Sequence, residues 1–530
     1  MTAETRSDTN DTPARRPGRL LLAGLALGCA FDLLFNGKLP GISVPIFTLL
    51  LLVGLALAIR WETATLTGVK AVNLWLPAAL LFFAVMCCIR ASGFLLFLNI
   101  SAGLVLVALI AVYLTHRSAA ELSLPALLIA PVEAVASSLL HAFQITVHVG
   151  RHDLAATARP TRRQAVPILR GLFIALPVLL VFTALLASAD LIFADRVAHL
   201  LSEEFFAELG RWLGHAWVIL IVGFLLAGGL AYAVRQRAAG WADRLSSAGL
   251  PRFPAVTEAA VVINAVNLLF FLFVLIQVPY LFGGRLNIDP AKFTYADYAR
   301  QGFAELVIVA VLTLGLILFL GTLTPRTGSR QRLVFNLSAT VLLGLTGVML
   351  ASAFKRLLLY EMAYGFTQLR IYPHVFMVWL GILLAWFAVT LWFKPGRFAV
   401  GLLVAALGFV ATLDLLNPDA LIVRQNFQRF QELAVNPPAA GDFMRYRSID
   451  AHYFAQLSED AVPALLDIAG RSTGQVRDII EKDLRRRTAA MSGDSAWRKW
   501  QSFHLSRSRA YRLLTERYGG ETSEPSSSRP

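Results

Sequence analysis

The sequence predicts an all-α, polytopic membrane protein: a transmembrane helical bundle of about eleven spans with a small helical extracytoplasmic C-terminal domain. Three observations predict it. Mean hydropathy is +0.62, and 57% of the residues are hydrophobic against 15% charged, far from a soluble mix. The apolar residues fall into separate runs of about 17–25, the length that crosses hydrocarbon, and do not alternate as barrel strands do. From Asn417 onward no run could cross, and amphipathic helical patterns take over.

In chain order, residues 1–19 are polar and read as a disordered cytoplasmic terminus. They are too polar for the apolar region of a signal peptide, though Leu20 onward can serve as an uncleaved start-transfer helix. Residues 20–115 hold the first four spans, Leu20–Phe35, Ile42–Ile59, Val72–Ile89 and Phe94–Leu114. Residues 116–167 read as a cytoplasmic segment whose part 122–147 lies amphipathically in the interface, because Pro125, Pro131, Glu133 and His141 interrupt its apolar run. Residues 168–416 hold spans five to eleven: Ile168–Ala187, Ala216–Val234, Val256–Leu281, Phe303–Leu323, Leu333–Ala353, His374–Phe393 and Phe398–Leu416. Their outer loops are 188–215, 284–302 and 354–373. The tail, 417–518, reads as helices over Ala420–Leu433, after a cap at Ser458, over Gly474–Met491 and over Ala496–Glu516. Residues 519–530 are Ser-, Pro- and Glu-rich and read as disordered.

Orientation follows from Lys and Arg near the spans. With the N-terminus inside, the cytoplasmic side carries twenty-one and the opposite short loops ten. An odd number of crossings then places the tail outside. The formal charge of +14 sits largely in these loops, so it marks topology and not a nucleic-acid partner. Cys29, Cys87 and Cys88 lie in apolar runs and suggest neither a disulfide framework nor a metal site. His148 and His152 have metal spacing but no evident third ligand. The expected partners are the bilayer and an envelope protein reached through the tail.

Polar motifs gather at one side of this topology. The stretch Tyr295-x-x-Tyr-Ala-Arg-x-Gly-Phe-x-Glu-Leu306 leads into span eight and supplies Tyr295, Tyr298, Arg300 and Glu305. The stretch Arg356-x-x-x-Tyr-Glu-x-x-Tyr-Gly-x-Thr-x-x-Arg-x-Tyr372 joins spans nine and ten. It supplies Arg356, Tyr360, Glu361, Tyr364, Arg370 and Tyr372. Span eleven leaves the membrane through Asp414, Asn417-Pro-Asp419-Ala, Arg424 and Asn426. With Tyr453, Leu457-Ser-Glu-Asp-Ala-Val-Pro-Ala-Leu465, and Trp497 before a basic helix, the set resembles a bacterial multi-spanning family, domain of unknown function 4173, related to 4153. The resemblance covers the second half of the chain, and the first half by hydropathy alone. It implies a bacterial inner-membrane location. It implies no activity and transfers no catalytic residue.

Two readings of this collar stand side by side. Acids, arginines and phenols converging at the mouth of a bundle can bind an anionic or sugar-bearing ligand. The same groups can instead pair to fasten the tail, since charges near hydrocarbon need partners whatever the function. Within the spans, Asn264, Asn267 and Asn336 read as helix-to-helix bonds in preference to a polar path. Asp32 and Glu258 sit near span ends, within reach of the interface, and no charge lies mid-span, which argues against an ion-coupled carrier. Phosphate-loop, zinc-protease, nucleophile-elbow and Cys-x-x-Cys motifs are missing, so no catalytic residue, metal or cofactor is expected. The sequence therefore favours a scaffold, sensor or accessory component of the envelope over an outward-facing transferase or lipid- and sugar-handling protein. A transporter or channel comes third.

Overall fold

Every regular element among the described residues is a helix or a 3-10 turn. The computed structural model describes residues 17–63, 71–114, 118–156, 182, 190, 203–235, 256–282, 302–435, 450–494 and 496–519. Hydrocarbon leaves backbone amides no partner but their own helix, which is why the apolar runs among the described residues are helical. The helices are α1 (Pro17–Phe35), α2 (Ser43–Thr63), α3 (Trp75–Ile89), α4 (Gly93–Tyr113), α5 (Leu124–Ala156), α6 (Glu203–Arg235), α7 (Val256–Phe282) and α8 (Phe303–Leu323). They continue as α9 (Ser329–Tyr364), α10 (Gln368–Phe393), α11 (Phe398–Leu416), α12 (Pro418–Val435), α13 (Ala451–Phe454), α14 (Val462–Arg471), α15 (Gln475–Gly493) and α16 (Leu505–Tyr518).

Among the described residues eleven helices are long and apolar enough to cross a membrane. Ten correspond to expected spans. The eleventh is Leu124–Val147, which the sequence reading laid in the interface. It belongs to a continuous helix, α5, with Pro131 inside it. The expected span Ile168–Ala187, apart from Phe182, lies outside the described residues, as do the expected loop 284–302, apart from Gly302, and the termini 1–16 and 520–530.

The chain divides into two units. The first comprises Met1–Gly37, Leu49–Val69 and Val132–Arg237. Within it α1 and α6 run antiparallel in backbone contact. A Cβ on Gly24 would meet the Gly223 carbonyl and Ala227, and one on Gly28 would meet the Ile219 carbonyl. Gly24-x-x-x-Gly28 and Gly223-x-x-x-Ala227 are thus paired small-residue stripes, the usual means of close approach where hydrophobicity gives no drive. At one end of the pair His215 Nδ1 sits 2.7 Å from Asp32 Oδ2. On α5, Glu133 is buried and accepts from the Tyr232 hydroxyl at 3.2 Å.

The second unit comprises Lys38–Thr48, Lys70–Pro131 and Ala238–Pro530. The hairpin of α3 and α4 closes through Arg90–Ser92. Helix α4 runs antiparallel to α11: Asn99 bonds Asp414 near one end, and the turn Ala119–Glu121 lies against the turn Pro395–Arg397 at the other. Helices α7 and α9 run parallel, with Asn267 donating to the Ser338 carbonyl at 3.0 Å and Ser352 to Gln277 at 2.7 Å. Asn336 of α9 donates to the Leu391 carbonyl of α10 at 2.9 Å. Helix α10 lies antiparallel on α11, its Trp379 indole donating to Thr412 and its Trp386 indole to the Arg397 carbonyl. A core of Ile263, Leu306, Ile317, Phe335, Leu342, Leu357, Leu383 and Phe398 runs through α7 to α11.

Two differences from the sequence reading have plain causes. The expected loop 354–373 is almost entirely helix, leaving only Gly365–Thr367 between α9 and α10. Hydropathy falls at Lys355, but Leu357, Leu358, Leu359, Glu361 and Met362 are strong helix formers, so the helix runs on after the apolar run stops. The expected continuous helix Ala496–Glu516 is instead two 3-10 turns, Ala496–Arg498 and Trp500–Ser502, followed by α16. Residues 503–504, between the second turn and α16, leave the helical conformation, so that the backbone can bond another segment: the Ile42 amide donates to the Phe503 carbonyl at 2.8 Å.

Candidate functional site

The tail packs as a small helical body with its own core. Ala420, Ile422, Val423 and Phe427 of α12 meet Phe454, Leu457, Leu465 and Ile468, then Ile480 and Leu484 of α15 and Ala510 and Leu514 of α16, with Ile371 of α10 joining from the bundle. Most docking bonds involve a helix end or turn on at least one side. Asn417 caps α11 in the left-handed conformation at φ 50°, which asparagine tolerates better than most residues, and its Oδ1 accepts from the Ala420 amide at 3.3 Å. The chain thereby turns sharply from α11 into α12.

That turn buries Asp419. Its Oδ1 accepts from Gln368 Nε2 at 2.6 Å, and its Oδ2 accepts from the Ser458 amide at 2.9 Å and the Ser458 hydroxyl at 2.6 Å. The Gln368 amide donates to the Tyr453 hydroxyl at 2.9 Å. Asn426 forms a reciprocal pair with the Phe366 backbone, accepting at 2.7 Å and donating at 2.8 Å. Its Oδ1 fills the space beside Gly365, whose φ of 82° also disfavours a side chain. Arg429 Nε donates to the Met362 carbonyl at 2.9 Å. Burial, and then the like charge of Arg370, pull the Arg429 guanidinium below its ordinary range.

A second seam closes on the α3–α4 turn. Asp460 Oδ2 accepts from the Ala91 amide at 2.8 Å and the Ser92 amide at 3.3 Å. His504 Nε2 bonds the Arg90 carbonyl at 2.9 Å, while Nδ1 accepts from the Arg507 amide at the start of α16. This pattern assigns the proton to Nε2 and leaves Nδ1 as the cap. Burial lowers the His504 imidazole and raises the Asp460 carboxyl from their ordinary values. Arg90 Nε donates to the Asp414 carbonyl at 2.6 Å, and Asn99 Nδ2 to Asp414 Oδ1 at 3.0 Å. Asp414, Asp419 and Asp460 are 0%, 1% and 4% exposed, so three buried carboxylates line the tail's attachment.

The sequence-predicted residues divide accordingly. Asp414, Asn417, Glu361, Arg370 and Tyr372 lie on the elements that carry the tail. Glu361, however, pairs with His374 Nδ1 of α10 at 2.9 Å and not with the tail. Arg370 donates to the Tyr364 and Gly365 carbonyls and lies 4.2 Å over the Tyr360 ring. Tyr372 stacks on Phe94 with ring centres 5.1 Å apart. Arg356 lies against Gly302, which caps α8 at φ 93° and has no room for a Cβ beside that guanidinium. Glu305 and Arg424 are exposed. Tyr295, Tyr298 and Arg300 lie outside the described residues. Within the spans, Asn264 accepts from Asn267 at 3.3 Å.

Sequence reasoning missed the weight of Asp460, Ser458 and Asn426, although all three lie inside the quoted motifs. It missed His504 and Arg90 entirely, and nothing local marks either. Two apolar grooves lie elsewhere. One of about 470 Å³ runs between α9 and α10 beside Gly344, Gly347 and Gly381, and the other beside α1 and α6 has Trp217 and Phe224 in its wall.

A family model described as Domain of unknown function (DUF4153) matches residues 77–468. The match falls on the second of the two related families that the motifs resemble, and it takes in the α3–α4 hairpin, which carries none of those motifs. It ends before α15 and α16. No curated protein and no solved structure matches.

Proposed function

For a chain that belongs to the DUF4153 family, we propose the role of a bacterial inner-membrane scaffold or accessory component. It holds a helical domain against the extracytoplasmic ends of its spans and presents it to an envelope protein. The observation that carries this reading is the buried fastening of the tail, above all Asp419 bridging Gln368 to Ser458. A ligand site would leave its polar groups facing a cavity. Here Asp419, Asn426 and Arg429 are spent on backbone and side chains of the same chain.

Packing directions support an odd number of crossings. Antiparallel α1 and α6 require an even number of crossings between them, and α2, α3 and α4 supply three. Antiparallel α4 and α11 likewise require an even number, and α6 to α10 supply five. Each pair, taken alone, leaves an odd number of crossings for residues 115–202. A crossing by one of α5 and Ile168–Ala187, and not both, meets that requirement. The arginines at 151, 159, 162 and 163 favour Ile168–Ala187, since its crossing keeps them cytoplasmic. With either choice the total is odd; with Ile168–Ala187 as the crossing, the charge count favours an N-terminus inside and a tail outside.

Replacing Asp419 with Ala strips the acceptor from three part-buried donors and should weaken docking by about 2 kcal/mol. In proteoliposomes of the full chain, protease should release the tail at least tenfold faster. An unchanged cleavage rate would remove the docking claim. Photo-crosslinkers at exposed tail positions such as Arg471 should capture an envelope protein in cells; failure at every exposed tail position would count against presentation.

A further inference from the structure

Three large apolar side chains stand outside the packing of the tail. Trp500 is 58% exposed, Phe503 42% and Leu505 49%. Their neighbours point the other way: Gln501, Ser502 and His504 are buried. The strip is pinned by its backbone and small polar groups. Ser502 Oγ accepts from the Leu39 amide at 3.0 Å, and the Phe503 carbonyl accepts from the Ile42 amide at 2.8 Å and from the Cys88 thiol at 3.5 Å. His504 bonds the Arg90 carbonyl at 2.9 Å. Gly41 permits the approach, since a Cβ there would strike the Phe503 carbonyl.

These attachment points fix the height of the strip. Residues 39–42 precede the first turn of α2, and residues 88–90 end α3, so both mark the level at which spanning helices leave hydrocarbon. The neighbouring turns of α4 expose Phe94 and Phe97 at the same level. Trp500, an aromatic ring with a polar N–H, is of the type favoured in that layer. The exposed charge nearest the strip is mainly basic, with Glu516 entering the α16 face one turn beyond Arg512. Arg498, Lys499, Arg509 and Arg512 are exposed, and Arg509 and Arg512 follow Leu505 by four and seven positions on one face of α16.

We propose that Trp500, Phe503 and Leu505, with Arg509 and Arg512, form a lipid-binding surface that seats the tail in the adjacent leaflet and prefers anionic phospholipid. The apolar side chains enter the interfacial layer, and the guanidiniums meet headgroup phosphates through their planar forks. The occupant is lipid and not a second protein because the strip continues the lipid-facing ends of α2, α3 and α4. The inference does not depend on which face of the membrane carries the tail.

The test uses the full chain with its three native cysteines replaced, reconstituted in nanodiscs of phosphatidylcholine with or without about 30% phosphatidylglycerol, a composition chosen to raise the negative surface potential. An environment-sensitive fluorophore on Trp500→Cys should emit to the blue of its spectrum in water and be quenched by lipids spin-labelled near the headgroup. A label on Arg471→Cys should show neither effect. Quenching at position 500 should strengthen at least twofold with phosphatidylglycerol, and Arg509→Gln with Arg512→Gln should abolish that increment. A water-like, unquenched label at position 500 would overturn the proposal and leave the strip to a protein partner. Should the cysteine-free chain fail to fold, the native chain in detergent decides. Phosphatidylglycerol should raise its melting temperature more than phosphatidylcholine does, and the double arginine variant should lose the difference. Equal shifts in both chains would overturn the anionic preference.

Discussion

At Asp460 and His504, two buried groups with opposite titration hold the same turn. The Asp460 carboxyl is raised by burial, partly countered by bonds from Ser506 and the Ala91 amide. The folded chain therefore keeps its proton to higher pH than the unfolded chain. The stability this contributes is complete below the ordinary carboxylate range and is lost as pH rises through the raised value. His504 is lowered by burial below the ordinary 6.5, so docking loses stability as pH falls from there towards the lowered value. Asp460→Asn keeps an acceptor for the Ala91 and Ser92 amides and removes the charge. It should stabilise the tail at pH 8 by about 1 kcal/mol and flatten the alkaline limb of a melting-temperature profile. A variant equally weakened at pH 5 and pH 8 would show that the carboxylate itself is needed. At Asn417 the conformation decides. Asn417→Gly should be nearly silent, whereas Asn417→Ala should cost about 1 kcal/mol in a denaturation midpoint, because alanine resists positive φ and supplies no cap.

Among the elements, α1 and α6 depend on having almost no side chain between them. Gly28→Ile would drive a branched side chain into the Ile219 carbonyl and the Gly223 backbone, and should destabilise the pair by about 2 kcal/mol or more. Thermal melting in nanodiscs would read it, with Gly18→Ala, a position with open space, as the control. The small residues of these spans were legible as packing residues; which helix each one meets was not, because hydropathy carries no pairing information. The same division holds elsewhere. Span existence follows from apolar length alone, and ten expected spans coincide with helices. The end of α9 was misplaced because charge and helix propensity part company at Lys355. The break at 499–504 had no local signal, since its cause lies at Leu39–Ile42, more than four hundred positions away. In the collar, Asp414 and Asn417 were legible from their place at a span end. Glu361 stood out equally, yet its partner His374 belongs to the next helix, and residue spacing cannot distinguish the two outcomes.

For the whole molecule, the crossing number is the quantity on which sidedness rests. In a cysteine-free background, single cysteines at Glu62 and Ser448 should label from opposite sides of sealed vesicles, and labelling from one side would contradict the parity drawn from α1 with α6 and α4 with α11. A third probe at Arg159 separates the two candidates for the crossing. Cytoplasmic labelling assigns it to Ile168–Ala187, and labelling from outside assigns it to α5. One further consequence follows from the turn Arg90–Ser92, whose amides and carbonyl are claimed by Asp460 and His504. During synthesis the α3–α4 hairpin enters the bilayer some 370 residues before Asp460 leaves the ribosome. Until then the hairpin's tip waits with its amides uncommitted. Completion of the protein is thus registered at one of its earliest loops, and a chain terminated before Ser458 should carry an unsealed hairpin that quality-control proteases of the membrane can recognise.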